Sequence, residues 1–314
     1  MSRWPNLFLI GAPKCGTTAI CDQLGQHPEI FIPERKKLDF FNTDMVYGPD
    51  EIRITEETDY LSYFAKRTEK YCGDGSITYL FSRAAPDNII ARKPDAKILA
   101  VLRNPFALVS SLYHFRRFND GLIASDIEAC LDEEERYFAV NHPADGPMDT
   151  LYKLSGFAQY ADGVERYQTL FGRENFHIII YEDLIADRGR IFRDIFRFLD
   201  VDADFTPVNT VINKTRIKRS QFIHILMSRV FQLPPVRYSA QKLPKRIRHR
   251  IYSRIVSLNT VKAERPPLEV HLRDRLMPKF RRDVEKLSTL IDRDLSFWLA
   301  DPADTRPADA TLPA

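Results

Sequence analysis

Leu9-Ile-Gly11-Ala-Pro-Lys14-Cys-Gly16-Thr17-Thr18 is the stretch on which the reading of this 314-residue chain turns. An apolar run, Leu7 to Ile10, meets a loop bounded by two glycines. The loop meets a stretch, Thr17 to Gln26, with Ile20 and Leu24 at helical spacing. Strand, glycine loop and helix in this order have an electrostatic consequence. Backbone N–H groups at a helix start, with the helix dipole behind them, favour a bound anion. Gly11 and Gly16 let the backbone approach such a ligand closely. Lys14 adds fixed charge, and Thr17 and Thr18 add hydroxyl donors.

Two further apolar runs, Ile98–Leu102 and Ile178–Tyr181, have the length of buried parallel strands. After the first comes Arg103-Asn-Pro105, with proline placed for a first helical turn, and then Phe106 to Arg117. After the second, a short loop leads to Ile191, Phe192, Ile195, Phe196 and Leu199 at helical spacing. The alternation predicts an α/β fold, a central parallel sheet flanked by helices. An amphipathic helix is expected over Phe157–Phe171, ended by Gly172. Two more, at Leu268–Leu276 and Phe280–Leu299, form a helical C-terminal extension. Residues 1–300 read as one domain, and 301–314, rich in Ala, Pro and Asp, as a disordered tail.

Composition narrows the function. The 46 basic and 43 acidic residues leave +3, too little for a general nucleic-acid binder. Four cysteines without CxxC spacing give neither a disulfide scaffold nor a zinc site. No run approaches the roughly 20 apolar residues that span a bilayer. The four-residue run Leu7–Ile10 is too short for a signal-peptide core, so a cytoplasmic protein is expected. Residues 237–254 carry seven basic side chains and no acid, which reads as a solvated helix face, as peripheral contact with an anionic membrane surface, or as contact with an acidic polysaccharide.

The loop differs from a Walker A motif. Lysine belongs directly after the last glycine there; here Thr17 holds that place and Lys14 lies two residues before Gly16. The run Ile98–Leu102 ends in Arg103, a cation where a triphosphatase needs a metal-holding acid. Fixed positive charge favours a phosphate-bearing ligand handled without metal.

Gly11-Ala-Pro-Lys-Cys-Gly-Thr-Thr18 resembles the 5′-phosphosulfate loop of sulfotransferases that use 3′-phosphoadenosine 5′-phosphosulfate (PAPS). Arg103-Asn-Pro105 with Ser111-Leu-Tyr113 is similar to that family's second signature. Gly73-Asp-Gly-Ser76-Ile-Thr-Tyr79-Leu, Tyr181-Glu-Asp-Leu184 and Asn213-Lys-Thr-Arg216 also match its pattern, and the likeness covers roughly residues 5–299. The resemblance implies a P-loop-like fold and sulfuryl transfer from PAPS to a hydroxyl or amine, releasing adenosine 3′,5′-bisphosphate. It places Lys14, Cys15, Gly16, Thr17 and Thr18 on the 5′-phosphosulfate and Arg103 and Ser111 on the 3′-phosphate. Lys214 and Arg216 fall in a basic loop over the cofactor, and Ser76 and Tyr79 either line the site as substrate-binding residues or only pack. A carbohydrate or glycolipid acceptor fits the branch it looks like.

One position departs from the pattern. Similar members carry Lys-Glu-x-His/Asn-Phe-Phe with that glutamate as catalytic base; here the segment is Lys36-Lys37-Leu38-Asp39-Phe40-Phe41. A base is worth about 10²–10⁴-fold, and an ordinary lysine is protonated at pH 7. Three explanations stand. Asp39 takes the role, sharing a face with Lys37 along an extended segment. Or Lys37 stabilises sulfate charge while His27 or His114 supplies the base, Glu34 being a lesser candidate. Or the chain binds PAPS with little or no turnover. Lys14, Lys37 and Asp39 are thus the catalytic candidates. A P-loop kinase-like phosphotransferase is the remaining alternative. His27, His114, Glu182 and Asp183 also fit turn, packing and capping roles, Cys15 fits a small loop residue, and Asp202-Ala-Asp204 fits a turn.

Overall fold

The computed structural model describes residues 3–48, 53–119, 126–141, 147–208, 216–218, 260–262 and 267–301. The order of elements is β1 (Leu7–Gly11), α1 (Thr17–Leu24), β2 (Ile30–Phe31), β3 (Met45–Val46), α2 (Glu57–Ser62), β4 (Tyr71–Asp74), α3 (Ala84–Arg92) and β5 (Lys97–Leu102). There follow α4 (Pro105–Asn119), α5 (Ile127–Val140), β6 (Met148–Asp149), α6 (Ala161–Phe171), β7 (Phe176–Ile180), α7 (Tyr181–Ala186) and α8 (Arg188–Phe198). Short strands β8 (Arg216–Lys218) and β9 (Thr260–Lys262) precede the long helix α9 (Val270–Ile291).

Five strands form one parallel sheet in the order β2-β4-β1-β5-β7. β1 and β5 are its centre, with Leu7 opposite Lys97 and Gly11 opposite Val101. Every residue of β1 is buried, as a strand covered on both faces must be. The chain runs to one side of β1 before β5 and to the other after it. The carboxyl ends of β4, β1, β5 and β7 therefore open on one edge around the point where strand order reverses, where α/β sheets bind ligands. Among the described residues no helix is long and apolar enough to cross a membrane.

The three predicted strands are present, each within two residues of its expected ends. Three expectations change, the first being that the helix expected from Phe157 starts at Ala161, after a 3-10 turn over Ser155–Ala158. The C-terminal pair of helices is one helix, α9, running through Pro278. Proline removes one backbone bond, but Leu272, Leu276, Phe280, Val284 and Leu287 form one buried stripe across it, and that stripe holds the helix together. The loop expected after β7 is the short helix α7. Strands β2 and β4 escape the pattern because they are short and β4, Tyr71-Cys-Gly-Asp74, ends in glycine and a buried carboxylate.

Candidate active site

At the end of β1 the chain leaves the sheet through Gly11, at φ 137°. A Cβ there would lie 2.3 Å from the Val101 carbonyl oxygen, so only glycine lets β1 stay paired and turn away. Gly16, at φ 74°, is the residue before α1, and a Cβ there would come within 3.1 Å of the Tyr181 ring. Lys14 also has a left-handed backbone, φ 68°. This winding brings successive N–H groups to the start of α1, where Thr17 is buried and Thr18 exposed. Lys14 Nζ lies 4.1 Å from the centre of the Phe115 ring.

Cys15 is fully buried, its thiol 3.6 Å from the Pro13 carbonyl. Burial pushes that thiol well above its ordinary range, against the weaker pull of Arg103. Cys15 is therefore a small structural residue of the loop, and any contact it gives a ligand comes from its backbone.

Arg103, just past β5, donates from Nη1 to the Lys14 carbonyl at 2.9 Å and lies over the Tyr181 ring at 4.6 Å. Tyr160 OH donates to the Arg103 carbonyl at 2.8 Å. Asn104 caps α4, its Oδ1 accepting from Phe106 N and Ala107 N. Its own N–H donates to Glu182, and its side chain donates to the Trp298 carbonyl. Asp183 pairs with Arg293. The C-terminal segment thus braces the Arg103 corner, and Glu182 and Asp183 have structural roles. Ser111, also buried, lies on α4, which starts at this corner.

A second layer rests on one carboxylate. Asp74, at the end of β4, is fully buried and accepts from Ser76 N, Ser76 Oγ, Tyr60 OH and Tyr79 OH. Burial raises its pKa to about 6, while the Ser76, Tyr60 and Tyr79 hydroxyls pull it down. The two hydroxyls of Ser76 and Tyr79, oriented by Asp74, then accept backbone amides. Ser76 Oγ takes Leu38 N and Asp39 N at 2.9 Å each, and Tyr79 OH takes Phe40 N and Phe41 N. Gly75 N donates to the Lys36 carbonyl at 2.8 Å. Ser76 and Tyr79, candidates for substrate binding, have no exposed surface. They stand behind the 36–41 segment and fix its path, because each hydroxyl is used up by backbone and Asp74.

That path sets the open face. Asp39 has a left-handed backbone, φ 52°, and is buried. Its Oδ1 accepts from Thr78 Oγ1 at 2.8 Å and Tyr47 OH at 3.1 Å. Asn42, which also donates to Tyr47 OH, is 3.4 Å from the same oxygen. Lys37 Nζ is 3.3 Å from Asp39 Oδ2, with the lysine side chain 35% exposed and the aspartate 4%. Lys37 and Asp39 do share a face, with the cation outermost. Lys36 points the other way: its Nζ is 3.3 Å from Thr17 Oγ1, which joins this segment to the anion loop. Burial lowers the Lys36 pKa. Lys36 was in the quoted motif but not among the site candidates; two adjacent lysines on an extended segment must face opposite ways, and this was the signal for it.

His27 is removed from the candidate bases. It is buried between Phe196 and Phe205, with Nε2 on the Asp202 carbonyl and Nδ1 accepting from Glu29 N. Glu34 is exposed, and His114 is half-buried beside Tyr113. Asp202 accepts from Asp204 N in a turn. Lys214, the 237–254 run and residues 302–314 lie outside the described residues, and of Arg216 only the strand backbone is described. Among the described residues no cluster of His, Cys, Asp and Glu could hold a metal ion.

A family model for the sulfotransferase domain matches residues 5–225. Human heparan sulfate glucosamine 3-O-sulfotransferase 5 is 23% identical over 220 residues, 69% of this chain and 59% of that protein. Mouse bifunctional heparan sulfate N-deacetylase/N-sulfotransferase 1 is 32% identical over 125 residues, 39% of this chain and 14% of that one. The chain therefore corresponds to less than two thirds of either relative. The crystal structure of a sulfotransferase from Alicyclobacillus acidocaldarius superposes with a TM-score of 0.69 at 27% identity, over 95% of this chain and all of that one.

Proposed function

This chain belongs to the sulfotransferase domain family, and from that premise we propose that it transfers a sulfuryl group from PAPS to a hydroxyl or amine acceptor. The observation that carries the reading is the junction of Arg103 with the anion loop: its guanidinium is bonded to Lys14 O and stacked over Tyr181. Backbone amides, Lys14, Thr17, Thr18 and Arg103 then supply positive charge from two adjacent strand ends. The residues fit a nucleotide with phosphates at both ends of its ribose. Lys14, Thr17 and Thr18 would hold the 5′-phosphosulfate, and Arg103 with Ser111 the 3′-phosphate. PAPS, when bound, supplies the sulfuryl group.

The chain's part is positioning and electrostatics. Lys14 and the loop amides stabilise charge on the leaving phosphate oxygen. Lys36, held at Thr17, adds charge from the acceptor side. Lys37 presents its ammonium at the open face and stabilises the transferring group. Asp39 Oδ2 is the carboxylate oxygen left by Thr78 and Tyr47, and it accepts the acceptor's proton. A carbohydrate acceptor is supported by relatives named for heparan sulfate, and a glycolipid would present the same sugar hydroxyls.

A second reading, PAPS binding without turnover, draws on a specific feature. Asp39 is buried, hydrogen-bonded on one oxygen and ion-paired on the other, which is a costly place from which to take a proton. The deciding measurement is thermal stabilisation by adenosine 3′,5′-bisphosphate against 5′-AMP and against ATP with Mg²⁺. At 100 times its dissociation constant a ligand adds about 2.7 kcal/mol. A shift specific to the bisphosphate and lost in Arg103→Ala is expected. A shift with ATP and Mg²⁺ alone overturns the reading in favour of a phosphotransferase. Turnover over a panel of sugar acceptors then separates enzyme from binder.

A further inference from the structure

Behind the wall that carries Thr78 and Tyr79 lies a cavity of about 160 Å³. Its lining includes Leu80 and Phe81, the end of the 3-10 turn Ile77–Phe81, and three cations: Arg83, Lys153 and Arg166. The acids on the same lining are committed elsewhere. Asp162 pairs with Lys286 at 2.8 Å, and the two oxygens of Asp283 accept Tyr160 N and Ala161 N.

The cations are less fully engaged: Arg83 is exposed, and Arg166 feels the Asp162 charge without an ion pair. Arg166 Nε is buried without a partner, and its Nη2 reaches only the Leu80 carbonyl at 3.4 Å. Lys153 Nζ faces Met148 Sδ at 3.0 Å and the rings of Phe81 and Phe157 at 4.9 and 5.6 Å. None of the three makes an ion pair within 4 Å among the described residues. A buried guanidinium nitrogen without a partner costs free energy unless an acceptor joins it, and the Glu134 carboxylate that acts on Lys153 is itself bonded to three backbone amides. The volume is room for several waters at about 30 Å³ each, and so for one tetrahedral or planar oxyanion.

We propose that this cavity is an oxyanion site, taking a sulfate, phosphate or carboxylate group held by Arg83, Lys153 and Arg166. The group comes either as a free ion or as a substituent on a sugar. Only the second source rests on the transfer reading, since a sugar that bears the group would be an acceptor. Burial lowers the Lys153 pKa to about 7, with Glu134 opposing and Lys279, Arg166 and Arg83 assisting. Glu134 spends both oxygens on Leu154, Ser155 and Gly156 amides, and Lys279 donates to Ser155 Oγ. Only the protonated lysine attracts an anion, so affinity falls as pH rises through 7.

The test is calorimetric titration of the full chain with inorganic sulfate, the anion loop first filled by adenosine 3′,5′-bisphosphate. One sulfate site is expected. Lys153→Met and Arg166→Gln each weaken it by about tenfold, the scale of a lost charge-assisted hydrogen bond. Lys286→Ala does not, and Lys153→Arg removes the pH dependence. Competition by glucuronate but not glucose identifies the sugar-borne source; sulfate binding that glucuronate leaves unchanged identifies the free ion. Absence of sulfate binding, or binding indifferent to both variants, overturns the site. Should the bisphosphate itself fail to bind, the donor reading falls, and sulfate titration of Lys14→Ala still judges the cavity.

Discussion

The anion loop and the Lys36–Phe41 segment meet at Thr17 and Lys36, yet they are built differently. The loop is made of backbone: Gly11 and Gly16 occupy positive-φ positions, and Gly11 has no space for a Cβ. The segment is made of side chains. Asp74 orients Ser76 and Tyr79, these hold four amides, and Thr78 and Tyr47 hold Asp39. A backbone site tolerates little change where a side chain would collide. A side-chain site can be altered at its tip while its support stays, which is consistent with a Lys37 where the resemblance expects glutamate.

The sharpest break of this contrast is Gly11→Ala. A methyl 2.3 Å from the Val101 carbonyl oxygen should cost more than about 4 kcal/mol, measured by urea unfolding or seen as loss of soluble protein. Normal stability would mean the loop can move and is not rigid backbone. Next comes Arg103→Ala. The fold should survive, while calorimetry shows bisphosphate affinity falling about a hundredfold, one to two charge-assisted hydrogen bonds. Unchanged affinity would take Arg103 out of the ligand site.

At the side-chain end, Lys37→Met should lower kcat for a found acceptor by about 10²-fold with bisphosphate binding unchanged, as for a lost electrostatic donor. Asp39→Asn keeps an oxygen for Thr78 and Tyr47 and removes the proton acceptor, so it separates chemistry from support. Full activity in Asp39→Asn would end Asp39's case as base. The smallest effect is expected for Tyr47→Phe. It removes one donor to Asp39 and should lower stability by about 1 kcal/mol in a thermal melt, with bisphosphate affinity untouched.

Much of this was legible in the chain. The run Leu7–Ile10, the glycine spacing and Arg103-Asn-Pro105 read correctly because strand, loop and helix start are local features with local signals. Strand β4 was not readable: it is four residues long and is held by pairing with β1 and β2, which are far away in the chain. Whether Ser76 and Tyr79 line the site or only pack stays open in the sequence, since a hydroxyl looks alike there whether it meets a ligand or a backbone amide. His27 failed as a base because Asp202, 175 residues on, takes one of its nitrogens.

The sequence by itself determined the α/β class and the junction of strand, glycine loop and helix with its fixed charges, because these follow from hydrophobic period and from glycine. Only the tertiary structure decided that Lys37 lies outside Asp39, that Lys36 serves the loop, and that Arg83, Lys153 and Arg166 converge on one cavity. Those outcomes depend on which distant groups satisfy each buried polar atom, and no local pattern records that accounting.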